Sequence, residues 1–366
     1  MKKINPFKFG SVVDEPYFTN RNDEMEKIHQ ILNSGNHLIM ISPRRFGKTS
    51  LIHKAFKQFK REVISLDIQL VNSVEDLAAQ CLKRVYKVFP SEKIKQYIRN
   101  FRIIPVVSLQ PITNEVEISF QGTTSSLPIL EDVFNLIDKL GSEQRRVIVF
   151  LDEFQDILRL EKGIDRHLRS IMQLHKNVNY IFAGSQESMM REIFEKKKSP
   201  FYHFGLLFYL QKIDRKHFSD FMVSGFNPVC NTSETITHEI LEFSDGHPYY
   251  TQQLAYSVWN ILIKNDQTTD IVAQAIAETI QVHDYDYERL WNTFNNTDKK
   301  ILTGLANSSG SQISSNFIQL NYIVSPSTAF SSIKRLMQQG MVIKTENGFE
   351  IDDPFFRKWI LLRRKK

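Results

Sequence analysis

The sequence predicts an α/β protein. Its core is a five-stranded parallel sheet with helices on both faces, followed by a helical segment and a small module of three helices and a hairpin. Three observations lead there. Apolar, β-branched runs alternate with amphipathic stretches over residues 1–213, the rhythm of a doubly wound sheet. One of these runs, Leu38-Ile-Met-Ile41, leads through Ser42-Pro43-Arg44-Arg45-Phe46-Gly47 into Lys48-Thr49-Ser50 and an amphipathic stretch. From about residue 294, three helical patterns precede two short strands joined at Asn347-Gly348, the order of a winged helix.

The bulk numbers permit this and exclude several other classes. A chain of 366 residues can hold two or three domains. Hydrophobic residues make up 42% and charged residues 24%, as in ordinary globular proteins. The two cysteines, Cys81 and Cys230, lie far apart and lack metal-ligand spacing, so neither a disulfide framework nor a zinc site is expected, and a reducing cytoplasm fits. No apolar segment follows Met1-Lys2-Lys3-Ile4, and no run reaches bilayer length; no signal peptide and no membrane partner are expected. The ten histidines show no H-E-x-x-H spacing, and no Ser–His–Asp or Cys–His nucleophile arrangement is supported. A net charge of +6 permits acidic partners without requiring them.

In chain order, residues 5–22 read as irregular, broken by Pro6, Gly10 and Pro16. A helix over about 23–34 follows, with Thr19 or Asn20 as its cap. Strand 37–42 precedes a helix over 48–60, and strand 63–68 precedes a helix over 73–88. Residues 102–120 alternate in polarity around Pro111-Ile-Thr-Asn114, which predicts an inserted hairpin. A helix over 127–140, the strand 146–152, a helix over 164–176, a strand over 178–185 and a last strand over 206–210 complete the core. Helices over 233–244 and 248–264 flank Asp245-Gly246-His247, and residues 214–285 read as one helical domain. Residues 286–366 form the winged helix, with helices at 297–306, 314–320 and from Ser325 as cap and Pro326 at the first position. Phe355, Phe356 and Trp359 are expected to close its core.

The chemistry concentrates at strand ends. The stretch 42–49 matches G-x-x-x-x-G-K-[ST] except that Ser42 replaces the first glycine. Gly47 lets the backbone close around phosphate, Lys48 reaches the β- and γ-phosphates, and the Thr49 hydroxyl binds Mg²⁺. A cation at a helix N-terminus is unfavourable unless an anion sits there. Asp152 and Glu153 end a strand of the kind buried on both faces. In that place Asp152 holds Mg²⁺ and Glu153 orients the attacking water, although an acid pair after a strand also suits a helix cap. Gln155 and Asp156 read as helix-start polarity. Ser185 either senses the γ-phosphate or caps the following helix; the sequence leaves both open.

These residues together resemble the archaeal and bacterial ATPase family of the AAA+/STAND group, relatives of the origin-recognition ATPases. The resemblance rests on Phe18-Thr-Asn-Arg21, Pro43-Arg44-Arg45-Phe46-Gly47-Lys48-Thr49, Leu151-Asp152-Glu153-Phe-Gln155, Gly246-His-Pro248 and Asp353-Pro354-Phe-Phe-Arg-Lys-Trp359. It implies a P-loop core, a helical lid and a winged helix, with ATP rather than GTP as ligand. It also implies that Phe18 and Arg21 lie near the adenine, that Pro248 packs near base and phosphates, and that the chain switches between ATP and ADP states. One departure bears on turnover. Relatives often carry Gly-Arg before the last core strand, where this chain reads Phe204-Gly205-Leu206. Such an arginine contributes about 10³–10⁵ in rate, and Arg44, Arg45, Arg166 and Arg169 are the nearby substitutes. The resemblance therefore implies either a slow ATPase or a regulator whose nucleotide is structural.

The use of the winged helix is left open between binding double-stranded DNA and docking within the protein or onto a protein partner. Residues 286–366 carry 12 Lys+Arg against 7 Asp+Glu, but four of the positive charges are the tail Arg363-Arg364-Lys365-Lys366. The recognition helix offers Ser327, Thr328, Ser331, Lys334, Arg335 and Gln338. That is a sparse basic face, and Asp352 and Asp353 are expected to repel DNA.

Overall fold

A computed structural model describes residues 4–19, 21–109, 116–120, 126–264, 270–308, 312–321, 323–345 and 347–364. The chain forms two compact bodies. One contains Arg21–Ser42 and Lys48–Leu210; the other gathers the residues before Arg21, the loop Pro43–Gly47, and everything from Gln211 onward.

The first body runs α1 (Asn22–Asn33), β1 (Leu38–Ile41), α2 (Lys48–Gln58), β2 (Val63–Asp67), α3 (Val74–Val88), α4 (Ser91–Ile98), β3 (Val106–Leu109), β4 (Val116–Ser119), α5 (Leu127–Leu140), β5 (Val147–Asp152), α6 (Ile164–Met172), β6 (Val178–Gly184), α7 (Glu187–Phe194) and β7 (Leu206–Tyr209). Five strands make one parallel sheet in the order β2-β5-β6-β1-β7. The reason is in their side chains. All four positions of β1, the first five of β5 and all seven of β6 are buried, so these strands need cover on both faces. Burying each Ile, Leu or Val contributes about 1.5–3 kcal/mol. Helix α5 supplies part of that cover through Ile129, Val133, Phe134 and Ile137, spaced three and four apart. The order of strands brings the carboxyl ends of β5, β6 and β1 side by side, because β6 lies between the other two.

The inserted hairpin is β3 paired antiparallel with β4; its expected turn at 111–114 lies outside the described residues. Helix α4, which begins directly after Pro90, has no counterpart in the sequence expectation. The cap of α1 also differs: Arg21 occupies that position without a side-chain cap bond, and its guanidinium donates to Glu24 at 2.6 Å. Asn20, the other expected cap, lies outside the described residues.

The second body runs α8 (Arg215–Phe226), α9 (Ser233–Ser244), α10 (Pro248–Ile263), α11 (Ile271–Thr293), α12 (Asn296–Asn307), α13 (Ser315–Leu320), α14 (Pro326–Gln338), β8 (Val342–Thr345), β9 (Gly348–Ile351) and α15 (Pro354–Arg363). The Asp214 carboxylate caps α8 through the Lys216 and His217 amides. Ser325 caps α14 through the Thr328 amide, with Pro326 in the first turn, as expected. Helices α12–α14, the antiparallel pair β8–β9 and α15 form the winged helix. Phe355, Phe356 and Trp359 are buried in its core, at most 1% exposed. One continuous apolar cluster joins this module to α8–α11 and to Phe7 of the N-terminal segment.

Candidate functional site: a phosphate loop and an acid pair

In the first body the residues singled out from the sequence meet at the carboxyl edge of the sheet. Lys48 opens α2, whose first turn holds no acidic residue. Its side chain is buried, and its ammonium donates to the Ser42 carbonyl at 3.2 Å. Ser42 itself is buried, and its amide continues the β1–β6 ladder to the Gly184 carbonyl. The Thr49 hydroxyl donates to Asp152 Oδ2 at 2.8 Å. Two hard oxygen ligands of the kind Mg²⁺ prefers thus stand side by side. Among the described residues, no group of three or more His, Cys, Asp or Glu could hold a metal by itself.

Glu153 follows in a left-handed backbone conformation, φ 49°, which turns its side chain away from the path of β5. Its Oε2 accepts three hydrogen bonds: from the Ser185 hydroxyl at 2.7 Å, the Ser185 amide at 3.1 Å and Gln155 Nε2 at 2.6 Å. Burial pushes the Glu153 carboxyl up, but the Lys48 charge and these donors outweigh it and hold the group below its ordinary range. Asp152 moves the other way. Burial and the Glu153 charge raise it against the Thr49 hydrogen bond and the Lys48 charge. Adjacent carboxyls therefore have divergent proton affinities, the pattern that separates roles in catalytic pairs.

The surroundings of Ser185 and Gln155 refine what the sequence left open. Ser185 does not cap α7, whose first flanking residue is Gln186 without a side-chain bond; its hydroxyl is spent on Glu153. Gln155 does stand at a helix start, as the second residue of the 3₁₀ turn Phe154–Arg159, but its role goes beyond that. It is 1% exposed and part of the site. The signal lay in the run Asp152-Glu153-Phe154-Gln155, since a tight turn after the acids brings Gln155, two residues past Glu153, back beside them. Asp156 is buried and pairs with Arg159 at 3.3 Å. Of the substitute arginines, Arg169 stacks over Phe204 at 4.5 Å and donates to Gln173. Arg21, in the same body, is fixed on Glu24.

The second body holds the other residues of interest. Arg44 is exposed, Phe46 is buried edge-on to His247 at 4.9 Å, and Gly47 is left-handed at φ 87° with open space where a Cβ would stand. Arg45 donates to the Tyr250 hydroxyl at 2.7 Å. Pro248 begins α10, with the His247 ring accepting from the Tyr249 amide as cap. Phe18 is buried in the segment whose Tyr17 carbonyl accepts from Gln252 of α10. Tyr249 and Tyr250, directly after Gly246-His247-Pro248, were not singled out from the sequence.

On the winged helix, the expected repulsive acids are not displayed. Asp352 is buried, and Asp353 caps α15 through the Phe355 and Phe356 amides while accepting from Tyr287. Three of the arginines are also engaged. Arg335 is held by buried Asp298, Arg363 by Asp284 and Arg364 by Glu288. Lys365 and Lys366 lie outside the described residues. The exposed stripe of α14 is Ser327, Ser331, Lys334 and Gln338, with Phe330 beside it.

Comparison with known proteins agrees with this architecture. Residues 18–254 match a family described as an ATPase domain predominantly from Archaea, and residues 285–362 match a winged helix domain family. The Walker-type ATPase of Pyrococcus abyssi is similar in fold, with a TM-score of 0.69 at 17% identity over 97% of this chain and 99% of that one. The ORC2 protein of Aeropyrum pernix superposes with a TM-score of 0.56 at 17% identity, over 97% of each chain. An uncharacterized protein of Methanocaldococcus jannaschii is 24% identical over 297 residues, 79% of this chain; the chain spans about half, 54%, of that relative's length.

Proposed function

Because this chain belongs to the family of ATPase domains found predominantly in Archaea, we propose that it binds ATP with Mg²⁺, hydrolyses it slowly, and uses the bound state as a molecular switch. The observation that carries the proposal is the meeting of Lys48, Thr49, Asp152, Glu153, Gln155 and Ser185 at one edge of the sheet. Thr49 and Asp152 would hold Mg²⁺, which would supply charge neutralisation to the phosphates. Lys48 contributes the counter-charge at the N-terminus of α2, where backbone N–H groups and the helix dipole favour an anion. Thr49 and Asp152 provide the metal's protein oxygens. Glu153, ionised and held in place by Ser185 and Gln155, accepts a hydrogen bond from the attacking water. The supporting arginine of faster relatives is absent, since Leu206 follows Gly205 here. Turnover on the order of 10⁻⁴–10⁻² s⁻¹ is the corresponding range.

The proposal includes the division into a P-loop core over 1–213, a helical lid over 214–285 and a winged helix over 286–366, with lid and winged helix responding to the nucleotide. Titration calorimetry with MgATP tests the binding step. The wild type is expected to bind, Lys48→Ala to lose at least about tenfold in affinity, and Thr49→Ala to lose its Mg²⁺ dependence. Equal affinity in all three proteins contradicts the reading.

One observation favours a protein over DNA as what the switch acts on. With Arg335, Arg363 and Arg364 consumed by acids and Lys334 the only cation in the described α14 stripe, the winged helix supports docking onto a protein better than reading of DNA.

A further inference from the structure

Arg45 stands in the phosphate loop with a left-handed backbone, φ 64°, two residues before left-handed Gly47. Left-handed residues interleaved with right-handed ones turn successive N–H groups into an anion-binding concavity. Glycine adopts that conformation freely, whereas arginine is strained in it, and such strain persists only where the surroundings fix it. The surroundings here are specific. Arg45 Nη1 donates to the Tyr250 hydroxyl at 2.7 Å. The guanidinium lies 4.6 Å from the centre of the Tyr249 ring and 5.6 Å from that of Tyr250. The Asp353 carboxylate at the start of α15 adds attraction. Tyr250 is a rigid anchor: it is 3% exposed and packed against His247 and Phe355. The neighbouring loop residue Phe46 packs on the same His247.

We infer that Arg45 is a positioning residue, whose anchorage on Tyr249 and Tyr250 holds the phosphate loop in its anion-receiving conformation. Nucleotide affinity is thereby set in part by α10 side chains that touch no phosphate. The inference rests on the loop being a nucleotide site. Coupling free energies are reciprocal, so a phosphate seated in the loop tightens Arg45 on Tyr250. Loop occupancy reaches α10 and the start of α15 by this route.

The test is MgADP and MgATP affinity by titration calorimetry for the wild type, Arg45→Ala, Arg45→Gly, Tyr250→Phe and the double variant Arg45→Gly/Tyr250→Phe. Melting temperatures without nucleotide check that each is folded. Arg45→Ala, which loses the anchor but keeps the strain, is expected to weaken binding about tenfold, and Arg45→Gly to recover most of that loss. Tyr250→Phe removes only the hydroxyl. It is expected to weaken binding about three- to tenfold with Arg45 present and less than about twofold in the glycine background. Arg45→Gly binding no better than Arg45→Ala, with Tyr250→Phe at wild-type affinity, overturns the inference and makes Arg45 a direct phosphate ligand. Equal effects of Tyr250→Phe in both backgrounds also overturn it. A wild type that binds neither nucleotide removes the nucleotide reading itself, and the inference falls with it.

Discussion

Glu153 shows how one residue's environment sets its chemistry. Its carboxylate is buried, which alone would favour the protonated form, but the Lys48 charge and donors from Gln155 and Ser185 reverse the outcome. Removing a donor must therefore raise its proton affinity. Ser185→Ala is expected to move the acid limb of the turnover–pH profile upward, while Asp152 keeps its partner Thr49. An unchanged or lowered limb contradicts this. Gly184 makes the arrangement possible. A Cβ there would stand 2.4 Å from Gln155 Oε1 and 2.4 Å from Met190 Sδ. Gly184→Ala is expected to cost about 1–3 kcal/mol in chemical denaturation and to slow turnover by displacing Gln155 from Glu153. A variant of wild-type stability and rate contradicts the packing described. The roles of Lys48, Thr49, Asp152 and Glu153 could be proposed from spacing, because short motifs fix them relative to a strand end. Gln155, Ser185 and Tyr250 could not be resolved in that way. Their functions depend on which side chain a tertiary fold sets opposite them, and local sequence is silent on that.

Among the elements, those with strong periodicity were legible. The five core strands, α5, α9, α10 and α14 fall within a few residues of expectation, because unbroken apolar runs and cap residues mark them. Helices α4 and α15 are short, and they were missed as helices because Pro90 and Pro354 read equally well as loop. The start of β1 carries a consequence that no pattern reveals. His37 accepts the Tyr180 amide on its ring nitrogen at 3.2 Å and packs against Phe204. Burial, with the charges of Arg169, His175 and Arg146, lowers its pKa from 6.5 to about 4. Between those two values the unfolded chain binds a proton that the folded chain refuses, so stability rises with pH across that window. His37 is expected to account for about 1–3 kcal/mol of stability at pH 7 that is lost on acidification from about 6.5 to 4. Denaturant melts of wild type and His37→Asn across this range check it, and parallel pH curves for the two contradict it.

At the scale of the whole molecule, the fold class was legible because strands, helices and the terminal hairpin follow one another in a recognisable order. The family assignment agrees with it. What sequence could not show is which charges survive folding. Three arginines of residues 286–366, Arg335, Arg363 and Arg364, are held in ion pairs by Asp298, Asp284 and Glu288. The chain is accordingly expected to bind double-stranded DNA no more tightly than about 10⁻⁴–10⁻⁶ M at physiological salt. Nanomolar, sequence-dependent binding in a salt titration contradicts that and returns DNA as the partner. Among the described residues no helix is long and apolar enough to cross a membrane.

A slow ATPase switch with its water oriented by Glu153 makes a distinctive kinetic pattern. Single-turnover hydrolysis of MgATP by the wild type, Lys48→Ala and Glu153→Gln tests it most directly. Slow but measurable hydrolysis is expected in the wild type, none in Lys48→Ala because ATP is not held, and at least about a hundredfold loss in Glu153→Gln with ATP still bound. Hydrolysis in Glu153→Gln at the wild-type rate, or none in a wild type that binds ATP, contradicts it and leaves the nucleotide a structural ligand.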